Sequence, residues 1–597
     1  MKKIKLSKRA TWIALSLVLL LGFFLRAAYC FQLKNTLFFE PGVGIDTNFY
    51  DTWAQTISAG DWVGKEVFWA APGYPYFLGV IYSFFGRNLL LVGLVQAFLG
   101  TLSCLLIFLI ARHFFGAFCG LSAAFIAATY QMFIFHDAML LGTSLFIFLN
   151  SLGLYMLTIA LDKRRWWFFV GAGLALGAAV LTGISTLLFL LMVGIWLFWR
   201  RQFAAALILW GAVLLTILPV TFRNYAIAKD FVPITAHGGL NFYIGNNPSA
   251  TGVYDPPELM LGSSTGLIKD SQTLAKKELG RDLKPSEVSG YWFKKGLSFI
   301  ADSPGRYIWL TARKAGLCVN AVEITDILNV DLVKRSCSVL RAPLIRFGWL
   351  FPPAVIGIFL TWRRLRGKRL LFFFLMGQFI SCCLYFVNAR YRLPLVIVLC
   401  IFGGYALSWS IRNIYRRRFF RVFRIVLAWL AISMLAYLPL YHKDNVVDIY
   451  NLALAYQRKE RFAEAEILLR KCVRLSPHFS DGYYALGFLY WQAGKRQQAL
   501  FSYKKALAVD PNFAEVRYNL GLLYAEDGKL EEAQREYETA LALKPDYREA
   551  LVSLCSLCMR YADPLRAQQC WRNALTFDPQ NMVARRTLDA AQTAPQQ

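Results

Sequence analysis

Four groups of ionisable residues stand where hydrophobic stretches of this chain end. Asp46 and Asp51, in Asp46-Thr-Asn-Phe-Tyr50-Asp51-Thr-Trp53, follow the first stretch. His136-Asp137 closes the third. Arg223-Asn224-Tyr225 closes the seventh, and Asn388-Ala-Arg390-Tyr391-Arg392-Leu-Pro394 joins the ninth to the tenth. A carboxylate at such a boundary can take a proton from a hydroxyl or amine within hydrogen-bond reach. A guanidinium binds phosphate through two parallel hydrogen bonds. Acid and arginine together at the membrane–water boundary suit a substrate with a lipid tail, a phosphate and a sugar, which is enzyme chemistry rather than that of a channel or an anchor. Asp46 is the expected base, Asp137 a second catalytic acid, and Asp51 orients the helix or the substrate. Arg390 and Arg392, with Tyr391 between them, are expected to hold a polyprenyl phosphate, and Arg223 is a weaker anion contact. Each group has a plainer reading: Asp46-Thr-Asn suits a helix N-cap, His136-Asp137 a helix-end charge, and the arginines can snorkel to headgroups.

The elements that must position these groups are membrane helices. The chain of 597 residues is 57% hydrophobic, with a mean hydropathy of +0.42, against about 45–50% apolar residues in soluble domains. Eleven spans are expected, at 11–31, 89–111, 115–135, 138–161, 166–182, 184–199, 203–221, 344–361, 369–388, 393–411 and 420–440. With the Lys-rich N-terminus inside, Arg112-His113, Lys163-Arg164-Arg165, Arg200-Arg201, Arg363 to Arg369 and Arg412 to Arg424 all fall on the cytoplasmic side, as the positive-inside bias requires. Loops 32–88 and 222–343 and the region after His442 then lie outside. Gly73 to Gly86 is apolar but too short to cross, and reads as an interfacial helix.

The net charge of +28 comes from 65 Lys and Arg against 37 Asp and Glu. Its concentration in short loops between spans argues for a membrane protein and against a nucleic-acid partner. The twelve cysteines are scattered, with no paired CxxC set of zinc spacing. Cys555-x-x-Cys558 is expected to fill helix-packing positions, and Cys318 and Cys337 share a loop in which they could pair. No metal site or cofactor is evident, although a divalent metal shared by Asp46 and a donor phosphate is left open. The stretch from Pro233 through His237-Gly238-Gly239 to Gly245-Asn246-Asn247 and Gly252 lacks the Gly-Lys-Ser/Thr ending of a P-loop and reads as a structured outer loop.

Beyond the last span a period of 34 appears. Prolines stand at 477, 511, 545 and 579, and alanines at 465, 499, 533 and 567. Ala506, Ala540 and Ala574 form a second series, with Cys472 in the earlier equivalent place. Small residues at helix crossings and a terminal proline at this period are the tetratricopeptide pattern. Four units are expected, at 446–479, 480–513, 514–547 and 548–581, followed by a tail at 582–597. Such repeats offer a concave surface to a peptide or protein, or serve as a spacer.

Asp46, Tyr50-Asp51-x-Trp53, Pro72-Gly73-Tyr-Pro, Arg223-Asn-Tyr, Gly245-Asn246-Asn247 and Ala389-Arg390-Tyr391-Arg392-Leu-Pro394, in that order, resemble the GT-C-type glycosyltransferases. The nearest group is the dolichyl-phosphate-mannose protein mannosyltransferase-like family, which also resembles the aminoarabinose transferases. The resemblance covers residues 10–411. It implies an all-α polytopic bundle followed by an α-solenoid of repeats, a polyprenyl-phosphate-linked sugar as donor, Asp46 as base and inversion at the anomeric carbon. It also implies that Arg390 and Arg392 hold the donor phosphate, and that protein or another envelope component accepts the sugar, recruited by the repeats. A bacterial inner membrane with periplasmic repeats is the expected location. Two positions depart from the pattern: Leu181-Thr182-Gly183 stands where many relatives carry arginine, and Met139-Leu-Leu-Gly142-Thr143-Ser144 lacks the Glu often found there. The competing readings are a non-enzymatic scaffold assembling an envelope complex, and a polymerase or ligase of lipid-linked polysaccharide.

Overall fold

The computed structural model describes residues 7–40, 45–255, 264–324, 328–362, 368–441, 445–545, 547–558, 564–577 and 586. The segments 41–44 and 363–367, Pro579 and the tail apart from residue 586 therefore lie outside the described residues. The chain divides into two compact units, Met1–Lys443 and Asp444–Gln597. The regular elements among the described residues are all helices, with no named β-strand and a single isolated bridge, Tyr130 to Ile345.

Among the described residues of the first unit six helices are long and apolar enough to cross a membrane: Lys8–Lys34, Leu89–Phe115, Thr143–Lys163, Phe203–Ala228, Ala389–Tyr415 and Phe419–Ala436. Five shorter apolar helices accompany them: Ala117–Ala128, Trp166–Thr182, Thr186–Trp199, Phe347–Thr361 and Arg369–Leu384. The chain is thus an integral membrane protein. At 1.5 Å per residue the 27-residue helix Lys8–Lys34 is about 40 Å long, more than the ~30 Å hydrocarbon layer. Its start is fixed by Ser7, whose Oγ accepts from the Ala10 amide at 3.0 Å.

The third expected span is not one helix. It breaks after Ala128 and resumes as the short helix Gln131–Asp137. Its main-chain groups at the break are taken up by a neighbour: the Gln131 amide donates to Ile345 O at 2.8 Å, and the Ile345 amide to Thr129 O at 3.0 Å. A helix can be interrupted at membrane depth only if the freed groups find such partners. The break carries His136 and Asp137 into the bundle, where they are 4% and 2% exposed.

The outer segments are helical too. Ile45–Ser58 packs along Gly73–Phe85, burying Ala54 against Tyr74, Leu78 and Ile81. Gly238–Gly245 packs on Pro285–Asp302 around Leu240, Ile244, Val288 and Trp292.

The second unit consists of paired helices: Asn445–Arg458 with Phe462–Leu475, Ser480–Gln492 with Arg496–Val509, Ala514–Glu526 with Leu530–Leu543, and Arg548–Cys558 with Pro564–Phe577. The periodic small residues lie where the helices cross, since Ala465, Ala499, Ala533, Cys472, Ala506 and Ala540 are all fully buried. A Cβ on Gly487 would come within 2.5 Å of Tyr503, and one on Gly521 within 2.6 Å of Tyr537. The same close approach recurs one repeat apart, which is why both positions are glycine. The expectation that Cys558 merely fills a packing position is corrected: it forms a disulfide with Cys570 that joins the last two helices. Cys318 and Cys337 do not pair and both are buried free thiols.

Candidate active site

Asp46 lies in the first turn of Ile45–Ser58, where the positive end of a helix favours an anion. Its Oδ2 accepts from Arg390 Nη1 at 3.1 Å, across 344 residues of sequence. The pair is accessible, with 35% of the Asp46 side chain and 15% of the Arg390 side chain exposed. Arg390 sits in the first turn of Ala389–Tyr415, which is capped by Asn388: its Oδ1 accepts from the Tyr391 amide at 2.7 Å. That cap sets the direction of the whole turn, so Tyr391 is left outward, 39% exposed, with the Arg390 guanidinium 5.1 Å from its ring.

Two histidines join this pair. His237 lies near enough to feel the Asp46 carboxylate. Burial pushes its imidazole down to about 4 against the opposing pull of that carboxylate, so it is neutral at neutral pH. Its Nε2 has no hydrogen-bond partner among the described residues. His136 lies on the Arg390 side, with neither ring nitrogen hydrogen-bonded among the described residues. In the sequence His237 was only part of a Gly-rich outer loop, and His136 the neighbour of a more conspicuous acid. Histidine is scarce in this chain, five in 597 residues, and two of the five feel the charges of this pair.

The other expected site residues have structural partners. Asp137 receives Arg26 Nε at 2.6 Å, and Arg26 also donates to Gly22 O and Ala128 O, each at 3.0 Å. Both side chains of this pair are buried, 0% and 3% exposed. Gly100 makes room for it, because a Cβ there would overlap the carboxylate and stand 2.8 Å from Arg26 Nε. Asp51 is buried beneath Arg87, whose Nε reaches its two oxygens at 3.0 and 3.2 Å. It also accepts from Tyr82 Oη at 2.6 Å and Gln55 Nε2 at 2.9 Å. Asp51 thereby ties the first outer helix to the second.

Arg392 is 1% exposed. It donates to Asn320 O at 2.6 Å, Val322 O at 3.1 Å and Glu323 Oε2 at 2.6 Å, and stacks 3.8 Å from the Phe347 ring centre. This geometry makes it a brace between the outer loop and the bundle. Arg223 likewise donates to Val63 O at 2.6 Å and lies 3.7 Å from the Phe68 ring centre. The Leu181-Thr182 departure packs against the first-loop motif, where a Cβ on Gly73 would stand 2.7 Å from Thr182 Oγ1 and 2.9 Å from Leu181 O. Next to Gly73, Tyr74 Oη donates to Gln96 Oε1 at 2.7 Å, and Gln96 Nε2 donates to the carbonyls of Asp137 and Met139 at 3.0 and 2.9 Å. The first outer loop thus fixes the turn that carries His136. Among the described residues no three His, Cys, Asp or Glu side chains gather at metal-binding distance.

A family profile described as dolichyl-phosphate-mannose-protein mannosyltransferase matches residues 70–224. That match spans about a quarter of the chain and lies within its first unit. Tetratricopeptide-repeat profiles match 449–479 and 490–558. The matched mannosyltransferase segment includes Tyr74, His136, Asp137 and Arg223, and leaves Asp46 and Arg390 on either side of it. Among solved structures, the chain is similar to the Archaeoglobus fulgidus oligosaccharyltransferase in its apo form, at 16% identity and a TM-score of 0.44, over 77% of this chain and 60% of that one. For the repeats, MamA is similar at 25% identity and a TM-score of 0.21, over 23% of this chain and 80% of that one. PilF of Pseudomonas aeruginosa is similar at 22% identity and a TM-score of 0.22, over 25% of this chain and 68% of that one. No curated protein sequence matches the chain.

Proposed function

We propose that this mannosyltransferase-domain protein moves a sugar from a polyprenyl-phosphate-linked donor to a protein or envelope acceptor on the outer face of the membrane, with inversion. The observation that carries the reading is the Asp46–Arg390 pair, a carboxylate and a guanidinium 3.1 Å apart, the first 35% and the second 15% exposed. Asp46 takes the proton of the acceptor hydroxyl or amine as that atom bonds to the anomeric carbon. The bond from that carbon to the phosphate oxygen breaks, and its electron pair leaves on the polyprenyl phosphate. Arg390 neutralises the charge that develops on the phosphate, a contribution that grows as the bond breaks. Attack opposite the leaving phosphate gives the inversion. Tyr391 offers a ring beside the guanidinium for the sugar or the isoprenoid.

The Cys558–Cys570 disulfide supports an oxidising compartment for the repeats, because such bonds persist in the periplasm and are rare in the cytosol. That agrees with the outside placement given by the basic loops. Repeats on the acceptor side raise the local concentration of a bound acceptor without any new chemistry.

The test is transfer of labelled sugar from a polyprenyl-phosphate donor in membranes holding wild type, Asp46→Asn or Arg390→Ala. Transfer by wild type and loss in both variants is expected. Transfer from a pyrophosphate-linked donor alone would favour a polysaccharide polymerase or ligase. No transfer from either donor, with a phenotype unmoved by Asp46→Asn, would favour a scaffold.

A further inference from the structure

Three free cysteines approach one another where the outer loop meets the bundle: Cys318, Cys382 and Cys383. Cys318 lies in the last turn of the outer-loop helix Pro304–Val319. Cys382 and Cys383 lie in the last turn of the membrane helix Arg369–Leu384. The two helices pack on one another. Lys314 stands one turn before Cys318, so the two side chains share a face of their helix. Lys314 Nζ donates to Asn246 Oδ1 at 3.0 Å, and Asn246 Nδ2 donates to Leu384 O at 2.8 Å. That face is thus held against the end of Arg369–Leu384. Two further bonds bring both cysteines to one turn of Ala389–Tyr415. Cys382 Sγ donates to Tyr391 O at 3.4 Å, and Arg392 Nη1 donates at 2.6 Å to the carbonyl of Asn320, two residues beyond Cys318. Cys318 lies near enough to Cys382 for the two thiols to interact directly, while Cys383 feels the charges of Cys318 and Lys314.

A buried thiol usually serves as a small apolar side chain. Cys30, Cys119 and Cys400, inside membrane helices, fit that role. Cys318 and Cys382 differ, because they meet across two elements at the end of the bundle that the basic loops place outside. The same placement puts them in the compartment of the Cys558–Cys570 bridge, where disulfides persist. Both thiols are enclosed in the folded chain, 1% and 3% exposed. Their oxidation therefore belongs to the stage at which the outer loop folds onto the bundle, before the pair is covered. The electron acceptor is a thiol–disulfide oxidant of that compartment. One S–S bond forms between the two Sγ atoms. Two protons and two electrons pass to the oxidant, whose own S–S bond opens to two thiols.

We propose that Cys318 and Cys382 are a second oxidation site of this protein, closed into a disulfide in the mature chain, with the free thiols of the structure as its reduced form. The bridge replaces the weak S–H bond to Tyr391 O with a covalent link between helices. It fastens the outer loop to the bundle beside the turn that carries Arg390. The inference rests on the outer placement in the reading above and not on the identity of the donor.

The experiment maps cysteine linkage in the full-length protein by mass spectrometry. Membranes are dissolved in denaturant with a reagent that caps free thiols, and the purified protein is digested without reductant. Wild type is expected to yield two linked peptide pairs, Cys558–Cys570 and Cys318–Cys382, with Cys337 and Cys383 capped. Reduction before capping is expected to remove both pairs. Cys383→Ser is expected to keep the Cys318–Cys382 pair. If Cys558–Cys570 is linked while Cys318 and Cys382 are capped, or Cys318 is linked to Cys337 or Cys383 instead, the proposed bridge is excluded and the outer placement stands. If neither pair is linked, the compartment is reducing, and the outer placement falls together with the bridge.

Discussion

Removing Asp137 separates a structural role from a catalytic one. The Arg26–Asp137 pair is 2.6 Å apart, with the side chains 0% and 3% exposed. Breaking a buried pair by removing one partner costs about 3–5 kcal/mol, because the other charge is left uncompensated. In Asp137→Ala, Arg26 keeps the carbonyls of Gly22 and Ala128 at 3.0 Å. These dipoles offset part of the loss, so the lower figure, about 3 kcal/mol, is expected. At 1.4 kcal/mol per tenfold, that is a roughly 100-fold drop in the folding equilibrium. Replacing both partners by apolar residues of similar volume removes the desolvation penalty together with the attraction, and is often neutral or stabilising. Arg26→Met with Asp137→Leu is therefore expected to recover wild-type stability, and sugar transfer with it. The assay is fluorescence-detected size exclusion after graded heating of detergent-solubilised protein, alongside transfer from a polyprenyl-phosphate donor. An Asp137→Ala protein as heat-resistant as wild type would refute the energetic argument. A stable double variant without transfer would refute the structural assignment and return Asp137 to catalysis.

Three further outcomes are expected. Gly100→Ala puts a methyl group into the same ion pair and should lower heat resistance by a similar amount, about 3 kcal/mol, with partial recovery in the apolar double variant. Cys558→Ser opens a bridge between residues 12 apart; the chain-entropy estimate for a loop of this size is about 3 kcal/mol, read as faster proteolysis of the repeats, and a reductant should mimic it in wild type. The His237 imidazole is held at about 4 against ~6.5 unfolded. The folded state then binds fewer protons than the unfolded one in that window, so stability is full above about pH 6.5 and falls as the pH drops toward 4. The whole shift amounts to at most about 3 kcal/mol; His237→Asn should flatten this part of the heat-resistance profile, and an unchanged slope would exclude His237 as its source.

Most of the helices were legible in the chain, because a run of apolar residues and a repeat of 34 are local signals. Ten of the eleven expected spans correspond to single helices. The exception is instructive: nothing in 115–135 announces the break after Ala128, since its main-chain groups are satisfied by Ile345, more than 200 residues away. The disulfide was missed for a similar reason. Cys555 and Cys558 are conspicuous by spacing, but Cys570 is brought to Cys558 only when two helices of a repeat fold back on each other.

The sequence by itself singled out residues that could do chemistry and, through the basic loops, the side of the membrane expected for each. Hydropathy and the bias of basic loops are properties of short segments, readable one segment at a time. The tertiary structure decided which charge meets which. Asp46, Asp51 and Asp137 are alike as sequence, three carboxylates close to where hydrophobic stretches end. In the fold, Asp137 is enclosed with Arg26, Asp51 is held by Arg87 and Tyr82, and Asp46 keeps an open face beside Arg390. The arginines divide likewise, with Arg392 enclosed by carbonyls and Glu323 while Arg390, two residues earlier, reaches Asp46. Two residues apart on a helix point to different faces, and only the packing of distant helices decides which face is enclosed and which stays partly open.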